Sequence, residues 1–199
     1  MTGEKSQAIS LEVVRVLKAR FDSFPEDAES NRNAPFHEAF LNAFRDKLEK
    51  HIDNVPYFIS LSSWLHGLNT TLGQSFFEEV ANILCDGEKQ TFKDCEYTEQ
   101  QEKIISELIT DLKNGRRKPN LNEENRQIFG ATQGKLKPAP KFTADVCIIT
   151  NDYVEAIELK SVRPNAGEMR GEKLKILSAK ACLKNMFPDK EIRYFIGFP

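Results

Sequence analysis

Apolar positions change their period along this chain, and the change separates a helical stretch from a strand-bearing one. In Ser10 to Phe21, the residues Leu11, Val14, Leu17 and Phe21 recur at i, i+3, i+6 and i+10. At about 100° per residue they gather on one helical face. Asn33–Asp53 predicts a second helix, with Phe36, Phe40, Phe44 and Leu48 at four-residue steps and Pro35 suited to its first turn. Tyr57 to Cys85 is apolar and reads as mostly helical, broken near Gly67 or Gly73. In its second part Leu72, Phe76, Val80, Ile83 and Leu84 share one face, with Glu79 at the margin and Glu78 pointing away. Thr98 to Leu112 predicts an amphipathic helix with Ile104, Ile105, Leu108 and Leu112 inward, and Thr98 with Gln101 matches a capping box. All these stripes are expected to be core-packing faces.

Asn114 to Pro140 lacks periodicity and reads as a long connection with one turn of helix near Glu123–Phe129. Two strand-like segments follow, Lys141–Thr150 and Tyr153–Ser161, joined by an Asn151-Asp152 turn. After a turn-rich bridge, Glu168 to Met186 predicts a helix. Ile176, Ala179, Cys182, Leu183 and Met186 lie on its sheet-facing side. Arg170, Lys173, Lys180 and Lys184 lie opposite, a basic face expected to meet solvent rather than phosphate. Glu191 to Phe198 predicts a final strand. The expected fold class is α/β, a mixed sheet flanked by helices behind a helical N-terminal half. The expected parts are 1–112, mainly helical, and 113–199, the core, in one continuous domain.

Composition narrows the class. The chain has 199 residues, 40% hydrophobic and 29% charged, enough to bury a core. No apolar run approaches the roughly 20 residues that span a bilayer, and no secretory pattern opens it. A cytoplasmic protein is expected, with Cys85, Cys95, Cys147 and Cys182 as reduced, inert thiols. His37, His51 and His66 are read as ordinary surface or boundary histidines. Charge is unevenly spread. Residues 1–112 hold 11 Lys and Arg against 20 Asp and Glu, and residues 113–199 hold 17 against 10. Gly115-Arg116-Arg117-Lys118 and Lys135, Lys137 and Lys141 lie just before the paired strands. Such charges bind phosphate backbones, or make a solvated basic loop.

The hairpin carries the candidate chemistry. Asp145 stands on its first strand and Glu158-Leu159-Lys160 on its second. Strands deplete these residue types, and buried charges need partners or a metal. Glu158 and Lys160, two apart, share a face. Asp145 and Glu158 offer oxygens to a hard divalent cation, and Lys160 could orient a water or stabilise an anionic transition state. An ion-pair cluster without chemistry is the plainer alternative.

Asp145, twelve intervening residues and Glu158-Leu159-Lys160 resemble the PD-(D/E)xK nuclease superfamily, with Ala144 where proline often stands. The order of helices, hairpin, helix and strand is that of the superfamily core. The run Glu158 to Glu168, Gly171-Glu172-Lys173 and the closing Phe195-Ile196-Gly197-Phe198-Pro199 are similar to type II restriction endonucleases of the TdeIII kind. That resemblance implies site-specific cleavage of double-stranded DNA within a restriction-modification system, using Mg2+ and a homodimer. It implies that Asp145 and Glu158 bind metal, with the Leu159 carbonyl as a third ligand, and that Lys160 assists the attacking water. Glu79 corresponds to a helix glutamate that joins the metal in many such nucleases. Arg163, Arg170 and Lys173, with Arg116 and Arg117, are candidate DNA contacts. Such cores often continue with another helix or strand, so a shortened product is expected. The alternatives are a repair or junction-resolving nuclease on the same core, and a non-catalytic or inactive DNA-binding protein.

Overall fold

The computed structural model describes residues 1–25, 39, 42–160 and 165–198. They form two compact units, Met1–Val80 and Ala81–Pro199. The first is helical. Helix α1 spans Gly3–Phe21, and the Thr2 hydroxyl accepts from the Lys5 N–H at its start. The expected stripe is not its buried face: Leu11, Val14, Leu17 and Phe21 are all exposed, while Glu12 and Val16 are buried. Apolarity alone misleads here because Glu12 is neutralised by Arg15, whose Nε and Nη2 donate to its carboxylate at 2.7 and 2.5 Å. A paired carboxylate can be buried. One helical step beyond Val16, Arg20 donates to the Trp64 carbonyl, and the Trp64 indole N–H donates to the Arg20 carbonyl, both at 2.8 Å.

Of the expected helix Asn33–Asp53, the short α2, Arg45–Leu48, is described. Pro35, Phe36, His37 and Phe40 lie outside the described residues. Helix α3 runs Val55–Thr71 with Asn54 as its cap. It passes into a π-helical turn, Leu72–Phe76, and then α4, Phe77–Cys85. The expected break therefore falls at Gly73 as a widened turn, while Gly67 stays helical. On α4, Glu79 is exposed and Glu78 half-buried, and Leu84, expected inward, is exposed.

The second unit holds a four-stranded mixed sheet in the order β1, β4, β5, β6. Its strands are β1, Glu88–Phe92; β4, Phe142–Ile149; β5, Tyr153–Leu159; and β6, Glu191–Gly197. β4 pairs antiparallel with β1 and β5, and β5 runs parallel to β6. Helix α7, Ala166–Met186, makes the parallel connection, as a crossover needs. Strands β2, Glu96–Thr98, and β3, Leu136–Pro138, form a separate pair. Around them lie α5, Glu99–Lys113, and α6, Leu121–Gly130, longer than the single expected turn. The Thr98–Gln101 capping box forms as read from the sequence. The hydrophobic core gathers Ile105, Leu108, Ile128, Phe142, Val154 and Leu183 with their neighbours.

Two side chains of α7 correct the sequence reading. Met186 is exposed, and Lys180, assigned to a solvated basic face, is 2% exposed. That face meets α6: Lys180 Nζ donates to Asn125 Oδ1 at 3.0 Å, and Lys173 pairs with the fully buried Glu124.

Candidate active site

The hairpin register sets the site. Val146 pairs with Ile157 and Cys147 with Ala156. One further step places Asp145 opposite Glu158, on the sheet face that carries Cys147 and Ala156. In the parallel pair Ala156 stands beside Tyr194, so Tyr194 shares that face. β1 reaches the same place through Lys89, whose Nζ approaches the Asp145 carboxylate.

Asp145 is held from three directions. Its Oδ2 accepts the Leu159 N–H at 2.8 Å, its carbonyl accepts from Asn82 Nδ2 at 3.1 Å, and Lys89 Nζ is 4.0 Å from its Oδ1. Glu158 is buried, and both its oxygens meet ammonium groups. Oε1 accepts from Lys160 Nζ at 2.9 Å, and Oε2 accepts from Lys175 Nζ. Lys160 Nζ also lies 2.9 Å from Glu172 Oε1. The cluster is thus three carboxylates interleaved with three ammonium groups. Two polar atoms in it are buried without a hydrogen-bond partner among the described residues, Glu172 Oε2 and the Tyr194 hydroxyl.

Burial opposes the charge on Lys160, but the hydrogen bonds to Glu172 and Glu158 overcome it, so its pKa lies above the ordinary lysine value. Lys160 is therefore cationic at neutral pH. Burial, and then the carboxylates of Glu158, Asp145 and Glu172, push the Tyr194 phenol well above its ordinary value. It stays a neutral hydroxyl, a donor placed among acceptors.

Asp145, Glu158 and Lys160 are thus brought together as the sequence suggested. Lys89, Glu172, Lys175 and Tyr194 belong with them and were not anticipated. For Glu172 a signal existed: it stands four residues before Ile176, at the start of the buried stripe through Ala179 and Leu183. Each other candidate has its own setting. Glu79 falls in the first unit. Arg163 lies outside the described residues. Arg170 is exposed and donates to the Ala166 carbonyl at 3.2 Å. Lys173 is engaged by Glu124. Arg116 is 3.7 Å from Asp111, and Arg117 donates to Gln127 at 3.3 Å. His51 and His66 are exposed.

Among the described residues no three His, Cys, Asp or Glu side chains gather into a metal cage. The donor chemistry is that of a sparse oxygen site: Asp145, Glu158 and the Leu159 carbonyl, beside an unpartnered Glu172 oxygen and an unpartnered hydroxyl. Magnesium takes few protein ligands and keeps several waters, so these residues fit it, whereas a structural zinc site needs four nitrogen or sulfur ligands.

Comparison with known proteins points the same way. The family described as type II restriction endonuclease, HinfI, matches residues 1–199. The type II restriction enzyme MjaII of Methanocaldococcus jannaschii is 50% identical over 196 residues, which cover 97% of this chain and 53% of that protein. The chain thus spans about half the length of this curated relative. No solved structure matches it.

Proposed function

The chain belongs to the HinfI family of type II restriction endonucleases, and on that premise we propose that it is a metal-dependent, site-specific endonuclease acting on double-stranded DNA. The observation that carries this reading is the hairpin cluster: Asp145 and Glu158 on one sheet face, with Lys160 bonded to Glu158 at 2.9 Å. This arrangement supports active-site chemistry of the PD-(D/E)xK kind. The narrower likeness to TdeIII-type enzymes rests on the run from Glu158 to Glu168.

In this reading Asp145, Glu158 and the Leu159 carbonyl hold Mg2+. The bound ion supplies charge neutralisation at the scissile phosphate and a water of lowered pKa. The chain's own groups do the rest. The Leu159 N–H donates to Asp145 Oδ2 and so fixes the orientation of that carboxylate. Lys160, kept charged by its carboxylates, places a cation where negative charge grows in the transition state. Glu79 is a proposed further carboxylate ligand on the strength of the superfamily pattern. Arg163, Arg170, Lys173, Arg116 and Arg117 are proposed DNA contacts. Assembly as a homodimer follows if the recognised site is two-fold symmetric.

The test is incubation of the chain with unmethylated linear duplex DNA, with and without Mg2+, read on a gel. Discrete Mg2+-dependent fragments are expected, absent for Glu158→Ala and Lys160→Ala variants that retain the wild-type circular dichroism spectrum. Both variants cutting at the wild-type rate overturns the assignment of the site. Binding without cleavage by the wild type selects the inactive DNA-binding alternative.

A further inference from the structure

We infer that Glu172 is the positioning residue for Lys160, and that it fixes the ammonium so that one N–H remains directed at the reacting phosphate. The inference rests on the catalytic reading of the hairpin. A lysine ammonium has three donors and no acceptor. Two of the three are taken at 2.9 Å, by Glu158 Oε1 and Glu172 Oε1. Among the described residues the third has no partner, which leaves it for substrate.

The two carboxylates are not equivalent. Glu158 divides itself between Lys160 and Lys175 and is assigned to the metal as well. Glu172 gives its Oε1 to Lys160, and among the described residues its buried Oε2 has no partner. Lysine is a flexible four-carbon stem with many rotamers, and one shared carboxylate is a weak hold on it. Glu172 supplies the second point of attachment from a different element. It projects from α7 one helical turn before Ile176, and Ile176, Leu177 and Ala179 anchor that stretch in the core. Lys160 is therefore gripped between a strand and a rigid helix, the support that a precise site needs.

A carboxylate oxygen buried without a hydrogen bond is costly to keep. A merely structural tie between α7 and β5 would be served as well by an apolar pair. The bond to Lys160, and the field of the Glu172 carboxylate at Tyr194 alongside those of Glu158 and Asp145, instead tie Glu172 to the chemistry.

The experiment compares wild type, Glu172→Ala, Glu172→Gln, Lys160→Ala and the double variant Glu172→Ala/Lys160→Ala. Single-turnover cleavage is measured with Mg2+ and DNA affinity with Ca2+. Glu172→Ala is expected to slow cleavage about 10- to 100-fold, the scale of a misplaced catalytic group, with DNA affinity unchanged. Glu172→Gln keeps an acceptor oxygen for Lys160 and is expected to recover most of the rate. The double variant is expected to be no slower than Lys160→Ala alone, since two groups acting as one are not additive. In metal-free protein, reductive methylation of Lys160 read by mass spectrometry is expected to be faster in Glu172→Ala. Wild-type cleavage rates in Glu172→Ala, additive losses in the double variant, or an unchanged methylation rate each overturn the inference. A wild-type chain that does not cleave is a failure of the functional reading instead, and the methylation rate then still decides whether Glu172 holds Lys160.

Discussion

Glu124 is fully buried at the start of α6, where its Oε1 accepts the Asn120 N–H at 3.2 Å and its Oε2 takes the Lys173 ammonium. Breaking such a pair from one side leaves a charge in the interior with no counter-ion. Lys173→Met is therefore expected to destabilise the fold by about 3 kcal/mol, read as a lowered urea midpoint at neutral pH. If Lys173 served DNA binding alone, the same substitution would shift stability by less than about 0.5 kcal/mol, as surface changes do. The result separates two roles that one residue type at one position leaves open. Glu12 makes the same point in the first unit. The Glu12 carboxylate, paired with Arg15, is buried, while Leu11, Val14 and Leu17 are not. Residue polarity is a poor guide to burial wherever a partner lies within one helical turn.

Helix α7 carries Glu172 and Lys175, so its first turn matters for the site as well as for the fold. Asn165 caps it, accepting from the Gly167 and Glu168 N–H groups at 2.9 and 3.0 Å, while the Glu168 carboxylate accepts the Asn165 N–H at 2.9 Å. Asn165→Ala is expected to cost about 1 kcal/mol, measured as a lower thermal midpoint, and to slow cleavage by loosening the turn next to Glu172. A variant of lowered midpoint that cuts at the full rate would show that the cap serves stability only. α5, α7, the hairpin and β6 were legible because each has a strong period and clear ends, and all three of α5, α7 and β6 lie within two residues of their expected bounds. β1 was not legible. Its five residues, Glu88-Lys89-Gln90-Thr91-Phe92, carry one buried apolar side chain, because it is an edge strand with little to bury. Its one local signal is the pair of turns at Asp86 and Asp94, with φ of 53° and 54°, a left-handed conformation that aspartate tolerates better than most residues. The site was legible to the same extent. Asp145, Glu158 and Lys160 follow from one hairpin, whereas Lys89, Lys175 and Tyr194 arrive from β1, α7 and β6 by tertiary pairing that no local pattern encodes.

Charge looks different once the molecule is divided along its own units. Residues 1–80 hold 8 Lys and Arg against 12 Asp and Glu, and residues 81–199 hold 20 against 18. The unit bearing the hairpin is close to neutral, so the proposed attraction to DNA rests on local clusters rather than on its net charge. Among the described residues no helix is long and apolar enough to cross a membrane. Within that near-neutral unit the buried groups give stability a distinctive dependence on pH. Burial, and then Lys173, lower the Lys180 pKa from 10.5 to about 8. Below that value both folded and unfolded chains hold the proton, and the full penalty of the buried charge is present. Between about pH 8 and 10.5 the unfolded chain holds a proton that the folded chain has lost, so stability rises with pH, by about 3 kcal/mol over the whole window. Burial also raises the thiols, Cys147 from 9.0 to about 11 and Cys182 from 9.0 to about 12. The unfolded chain loses those protons first, so above about pH 9 the thiols pull stability down. Stability of the wild type is therefore expected to climb from about pH 8 and to level or turn near pH 9. Lys180→Met removes the climb and leaves the decline. Thermal midpoints of the two proteins across that range measure the difference directly. Curves that stay parallel would mean that Lys180 keeps its proton in the fold, and that Asn125 Oδ1, 3.0 Å away, suffices to solvate a buried ammonium.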